Sequence, residues 1–121
     1  MMKTLSFTRL FADEAGDSRF GEMAVPLEEK GAIGSLSTLY PVEALSFRTT
    51  EASYDYDFHR APARQFIVLL DGEIEIRTST GEKRTFRGGD VLLVEDTTGR
   101  GHQTRQLSPG TRRSLFITLP Q

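Results

Sequence analysis

The chain has 121 residues, fifteen Lys and Arg against seventeen Asp and Glu, two histidines and no cysteine. A chain of this length can bury one self-sufficient core, and without cysteine it has no disulfide framework, cysteine nucleophile or thiolate metal site. A net charge of -2 with no basic, aromatic-interleaved stripe argues against nucleic acid as a partner. The start, Met1 to Phe7, carries one lysine with no apolar run behind it and does not read as a signal peptide. The longest apolar run, Phe66 to Leu70, is far short of a membrane span. The composition therefore predicts a cytoplasmic protein.

Glycine and proline punctuate the chain at short intervals, and the segments between them are rich in β-branched and aromatic residues. Thr4–Phe11, Glu22–Val25, Ser35–Tyr40 and Ala44–Thr50 are candidate strands, with Asp13–Ser18 a loop or one helical turn. Around residues 54–59 the alternation puts Asp55, Asp57 and His59 on one strand face and Tyr54, Tyr56 and Phe58 on the other. That acidic face reads either as a solvent face over core aromatics or as a pocket mouth where an acid orients His59. Gln65–Asp71 is an apolar run bounded by Asp71-Gly72, suited to a strand buried on both faces. Glu73–Thr78 alternates charge and isoleucine, so it has one dry and one wet face. A turn at Thr80-Gly81 leads to Glu82–Phe86, and Gly88-Gly89-Asp90 turns the chain into Val91–Val94. Glu95–Gly101 is a polar loop, and His102–Leu107 and Ser114–Leu119 are joined across Pro109-Gly110. Short strands with turns every few residues and no helical period predict an all-β sandwich or a closed barrel. Apolar side chains on both faces of Gln65–Asp71 and Val91–Val94 predict a homodimer, unless strands of the N-terminal segment cover the outer face.

At Asp57–Gly72 and Gly89–Gln106 the chain resembles the cupin superfamily. That family's first motif carries His-x-His, then Glu, then Gly. Gln65, seven residues before Gly72, stands where its Glu would be, and His59 stands about one residue from the position of one histidine. The second motif opens with a Pro-Gly-Asp turn, here Gly88-Gly89-Asp90. It closes with a histidine, here His102, two residues later than the usual spacing, and Gln106 stands where the family often has Asn. The runs His59–Gln65 and Glu95–His102 are similar to one branch of the family, with His-x-Ala-Pro-x-Arg-Gln followed by Glu-Asp-Thr-x-Gly-x-Gly-His. The resemblance implies one cupin domain over residues 1–121. Barrel motifs would lie at 55–119, N-terminal strands at 1–54, and the fold would be a double-stranded β-helix, or jelly roll.

The same resemblance implies a small polar ligand inside the barrel and a divalent metal (Fe, Mn, Zn or Ni) held there by three histidines and a carboxylate. Two histidines cannot complete that set. His59, Gln65 and His102, with Asp57 as a further ligand, would be the donors available here. Without metal, His59 and His102 would serve as general acid and base, helped by Asp57, Glu95 or Asp96. Arg64 and Gln65 precede the buried strand, and an arginine there suits a substrate carboxylate, although an exposed arginine reads equally well. Glu95 to His102 packs acids, hydroxyls and a histidine into one loop, where Gly99 and Gly101 could take positive φ and turn His102 inward. A plain polar turn is the alternative. Two functions stay open: an oxygenase, isomerase or epimerase of a small polar molecule, and a non-catalytic module that binds one. The expected site is catalytic His59, His102 and Asp96 with ligand contacts from Arg64, Gln65 and Glu95.

Overall fold

A computed structural model describes residues 2–53 and 55–121, with Met2, Asp55 and Tyr56 described by their backbone alone. Among the described residues, eleven strands and one 3-10 turn at Gly31–Ile33 make up the regular structure. The strands are β1 (Met2–Ala12), β2 (Ser18–Glu29), β3 (Ser35–Leu36), β4 (Ala44–Thr50), β5 (Asp55–His59) and β6 (Gln65–Leu69). They continue as β7 (Glu73–Thr78), β8 (Lys83–Arg87), β9 (Val91–Val94), β10 (His102–Gln106) and β11 (Arg112–Thr118).

Two sheets form: a seven-stranded one in the order β3-β2-β1-β9-β6-β11-β4, and a four-stranded one in the order β5-β10-β7-β8. All pairings are antiparallel except β1 with β9, where Thr8, Arg9 and Leu10 lie against Leu92, Leu93 and Val94. This is the all-β jelly roll that the turn spacing and the cupin resemblance led us to expect. It differs in one respect: among the described residues no ladder joins the two sheets, so β3, β4, β5 and β8 are their edges. Side-chain packing between the facing sheets, rather than hydrogen-bonded closure, holds the barrel shape.

Alternation along each strand builds the interior. On β7 Ile74, Ile76 and Thr78 are buried while Glu73, Glu75 and Arg77 face out. Leu10, Leu69, Phe86, Leu92, Val94 and Ala61 join those isoleucines in one core cluster, with Phe20 and Ile67 packed against it. The first hairpin therefore belongs to the same core as the motif strands. Asp13 shapes the β1–β2 turn, its Oδ1 accepting from the backbone N–H groups of Ala15 (2.9 Å) and Asp17 (3.0 Å). Because β1 and β2 pair along their whole length, β2 runs far beyond the expected Glu22–Val25.

The expected strand Ser35–Tyr40 shrinks to Ser35–Leu36, since only two of its residues find partners on β2. Tyr40 and Pro41 instead lie beside Met23, Phe66, Leu93 and Leu119 on the outer side of the large sheet. The N-terminal strands extend the large sheet and do not lie over it, so the outer face is only partly covered. Leu39, Leu45 and Phe47 stay exposed, Leu39 at 97% and Phe47 at 80%.

Candidate functional site

The four-stranded sheet sets the inward positions of β10: His102, Thr104 and Gln106 are buried in alternation. Antiparallel pairing places His102 opposite Thr78 on β7 and opposite His59 on β5, with a bulge between His102 and Thr104 on the β5 side. The two imidazoles therefore meet, with ring centroids 4.5 Å apart and planes tilted by 54°. Gly101 makes this approach possible. It adopts φ +80°, and a Cβ there would strike the backbone carbonyl oxygen of His59. Gly99 shares the positive φ, and a Cβ there would strike the backbone carbonyl oxygen of Gly16. Both glycines thus have the conformation expected from the sequence.

Behind His102 lies Asp96, fully buried. Its Oδ2 is 2.5 Å from His102 Nδ1 and accepts a 2.8 Å hydrogen bond from Ser18 Oγ, while Oδ1 is buried without a hydrogen-bond partner. A carboxylate at Nδ1 sets the tautomer and ring orientation of a histidine and directs Nε2 elsewhere. Ser18, at the start of β2, is also fully buried. Its backbone N–H donates to Ser79 Oγ (3.0 Å), which donates to Asp17 Oδ1 (3.0 Å), itself paired with Arg100 at 3.0 Å. The tip of the first hairpin is locked to the same loop, with Arg100 N–H donating to Gly16 O at 2.8 Å.

His59 Nδ1 lies 2.9 Å from the backbone carbonyl of Asp57. Burial lowers the His59 pKa, and nearby His102 lowers it further, against the raising effects of the Asp57 carbonyl and Asp96. A neutral His59 is the form suited to accept a proton.

His59, Gln65 and His102 line one cavity of about 280 Å³ between the sheets. Its walls include Ile67, Ile74, Ile76, Val94 and Phe116, and its described arginines are Arg48, Arg60 and Arg112. A wider recess at the mouth shares His59, Arg60, Ala61 and Pro62 and reaches Thr97, Gly99 and Arg100. A separate groove of about 460 Å³ between β1 and β8 contains no histidine.

Some expected contacts fall elsewhere. Arg64 and Glu95 do not line the cavity. Each is the chain neighbour of an inward residue, Gln65 and Asp96, so alternation turns both outward, where Arg64 donates to Glu95 Oε2 at 2.8 Å. Arg9 binds the other oxygen of Glu95. Burial works to raise the Glu95 pKa, but the two arginines outweigh it and hold the carboxyl below its ordinary value. The Asp57 carboxylate is exposed and accepts from Phe58 N–H (2.8 Å) and Gln103 Nε2 (3.4 Å). It is the Asp57 backbone, not its acid, that orients His59. The side chains of Asp55, expected on the face of Asp57 and His59, and of Tyr54 and Tyr56, expected on the opposite face, lie outside the described residues; Phe58, expected with those tyrosines as a core aromatic, is exposed.

The sequence reading missed Arg48 and Arg112. Arg48 stacks 3.6 Å over the Phe116 ring. Arg112 is buried, and its Nε donates to Gln106 Oε1 at 3.0 Å. Gln106 is held in turn, its Nε2 donating to the carbonyls of Ser108 (3.1 Å) and Gly110 (2.6 Å). An inward arginine on an alternating strand was the available signal, but both strands carry a second arginine or a polar run that hides which face is inside.

The donor set can be tested against the metal that the resemblance implies. Two imidazoles and the neutral amide of Gln65 face the cavity, and the nearest carboxylate, Asp96, is engaged by His102 and Ser18. Among the described residues no group of three or more His, Asp or Glu could hold an ion. These residues do not fit a site of three histidines and a carboxylate.

No family model and no curated protein matches the chain. Solved structures do. Protein NMB1881 from Neisseria meningitidis is similar over 69% of this chain and 88% of its own, at 18% identity and a TM-score of 0.49. A proposed ethanolamine utilization protein Q from Salmonella typhimurium LT2 is similar over 98% of both chains, at 14% identity and a TM-score of 0.41. A cupin 2 conserved barrel domain protein from Leptotrichia buccalis is similar over 99% of this chain and 78% of its own, at 11% identity and a TM-score of 0.45. The likeness is one of fold. Among the described residues no helix is long and apolar enough to cross a membrane.

Proposed function

We propose that this protein is a small cupin that takes a small polar molecule into the cavity between its sheets, where His59 and His102 act on it as a general acid and base pair. The buried Asp96–His102 couple beside His59 carries this reading. A carboxylate with one unpartnered oxygen is costly to bury, and a fold that keeps it solely to fill space would do better with an apolar residue. Placed at Nδ1, it is useful for aiming Nε2 and for stabilising a proton that arrives there. His59, depressed in pKa, takes the basic role, and the pair suits proton abstraction and return, as in isomerisation or epimerisation. Asp96 and Ser18 are positioning residues. The same cavity would serve a non-catalytic binding module if no proton moves.

The test uses untagged protein and a library of small polar metabolites, followed by thermal shift and by the imidazole NMR signals of the two histidines. Ligands that stabilise the protein should move both sets of signals, and should lose that effect in Ile76→Trp, which fills the cavity. Hydrogen exchange from solvent into such a ligand would mark catalysis, and its loss in His59→Gln and His102→Gln would assign it to the pair. Stabilising ligands that leave both imidazoles unmoved would overturn the reading.

A further inference from the structure

Among the described residues β3, β4, β5 and β8 end the two sheets, and three of them are guarded against pairing with another chain. β3 is two residues long. β8 carries Lys83, Arg84 and Arg87, and β5 carries the exposed Asp57. Short edges and charged edges are the usual defences against strand addition. β4 has neither. It is seven residues long, pairs with β11 without a break in register, and holds no proline and one charge, Arg48. Arg48 and Thr50 line the cavity. Alternation leaves Leu45, Phe47 and Thr49 on the outer face, where Phe47 lies beside Leu115 and Leu45 beside Ile117. Leu39, Tyr40, Val42, Leu45 and Phe47 are five of the eleven exposed large apolar side chains among the described residues, so the unguarded edge and the apolar patch coincide.

We infer that a second copy of this chain lays its β4 antiparallel to this one about a two-fold axis at Phe47, which joins the two large sheets and places a partner side chain at each cavity wall. An edge left unguarded is tolerated where something always covers it, and a copy of the chain is the one partner present wherever the chain is. The two-fold also closes the assembly, because each β4 is used once and the other edges are guarded. An axis perpendicular to the sheet keeps both outer faces on one side, so residues that meet share a face. With the axis at Phe47 all seven strand residues find a partner. Phe47 meets Phe47 of the partner subunit, Leu45 meets Thr49 of the partner subunit, and Arg48 meets Ser46 of the partner subunit. An axis at Arg48 would set two guanidinium groups side by side, and one at Leu45 would press Glu43 of the partner subunit against Phe47. An axis at Ser46 would leave Thr49 and Thr50 opposite residues that precede the strand. Ser46 of the partner subunit thus adds a hydroxyl beside Arg48 on the face that lines the cavity. The pairing does not depend on the cavity holding a ligand, but it makes each cavity wall a property of the pair.

The chain has no cysteine, so single cysteines placed in the full chain report the pairing. Opposite residues bring their Cα atoms to about 4.5–5.5 Å, within disulfide reach. Residues four apart along a strand are roughly 13 Å apart and outside it. Each variant is oxidised at micromolar concentration and read on non-reducing gels, with Thr85→Cys on the guarded β8 edge setting the collision rate. Phe47→Cys alone, and an equilibrated mixture of Leu45→Cys with Thr49→Cys, should crosslink at least about tenfold faster than Thr85→Cys, since pairing holds the thiols far above their bulk concentration. Leu45→Cys alone and Thr49→Cys alone should stay at the collision rate. The mixture keeps Phe47, so it reports even where Phe47→Cys loosens the dimer. A mixture of Ser46→Cys with Arg48→Cys should crosslink faster than either alone, which carries the pairing to the cavity face. Cysteines on β4 that react no faster than Thr85→Cys would overturn the inference and leave the cavity reading intact. Self-crosslinking of Leu45→Cys or Thr49→Cys as fast as Phe47→Cys would overturn the axis. The Ser46→Cys and Arg48→Cys mixture at the collision rate would overturn the partner's share in the cavity wall.

Discussion

Replacing Asp96 tests whether the buried couple is a built feature. Asp96→Ala removes the acceptor of two hydrogen bonds, from Ser18 Oγ at 2.8 Å and with His102 Nδ1 at 2.5 Å. Hydrogen bonds to a charged group contribute about 1.5–3 kcal/mol each, and both donors left behind are buried. Ser18 is fully buried and His102 nearly so. Against this, the variant removes a carboxylate oxygen, Oδ1, that is buried without a partner, which offsets roughly 1–3 kcal/mol. The net expectation is a destabilisation of about 2–3 kcal/mol, within the usual span of single substitutions that break a buried polar network. Urea denaturation should show a lower midpoint at unchanged slope. Ser18→Ala should cost about 1 kcal/mol, and the double variant should be less destabilised than the sum of the two, because both act on one oxygen. In the wild type the His102 imidazole should carry its proton on Nδ1, and Asp96→Ala should redistribute it. A stability within about 0.5 kcal/mol of wild type, with the tautomer unchanged, would refute the reasoning.

With its pKa depressed in the folded state, His59 binds fewer protons there than in the unfolded chain as pH falls through its ordinary 6.5; stability should therefore fall as the solution is acidified through that value. Urea midpoints taken through that value should flatten in His59→Gln, and an unchanged slope would assign the effect elsewhere. Gly101→Ala forces a Cβ into the His59 carbonyl and a strained φ of +80°, so it should separate the imidazoles and cost at least about 1–3 kcal/mol, read by thermal melting together with the His59 NMR signals. Elemental analysis of untagged protein should find divalent metal well below one ion per chain, given two imidazoles and an amide as donors. Stoichiometric metal lost in His102→Ala would reverse that. A second copy of the chain is the proposed cover for the apolar face around Leu39, Leu45 and Phe47, because β4 offers it both exposed side chains and an open strand edge. Sedimentation should show a dimer that Phe47→Glu converts to monomer, and a monomeric wild type at micromolar concentration would refute it.

Strands were legible in the sequence where alternation, an apolar run or bounding turn residues mark their ends. Ala44–Thr50, Glu73–Thr78 and Val91–Val94 match the observed strands end for end. Ser35–Tyr40 misled because β propensity says nothing about whether a partner lies alongside, and past Leu36 none does. At the site, His59, Gln65, Asp96 and His102 were all singled out, and the structure gathers them around one cavity. Period-two alternation decides what the local composition could not: Gln65 and Asp96 point in, while their neighbours Arg64 and Glu95 point out and neutralise one another. Arg48 and Arg112 were invisible because their inward placement depends on β4–β11 register, set by long-range pairing.

The parallel contact of β1 with β9 has a consequence for how the chain acquires its site. Ser18 and Asp96 lie 78 residues apart in sequence, and Glu95 N–H donates to Leu10 O at 2.7 Å. On a ribosome the first hairpin must wait, edges bare, until most of the chain has emerged before Asp96 and His102 can join it. Long-range pairing of this kind slows folding toward milliseconds to seconds, and a nascent hairpin with an open edge is exposed to misassembly meanwhile. The imidazole pair should accordingly be among the last parts to assemble and the first to report a failed fold. A variant far from the cavity, at the β1–β2 turn, could silence the site simply by arriving late.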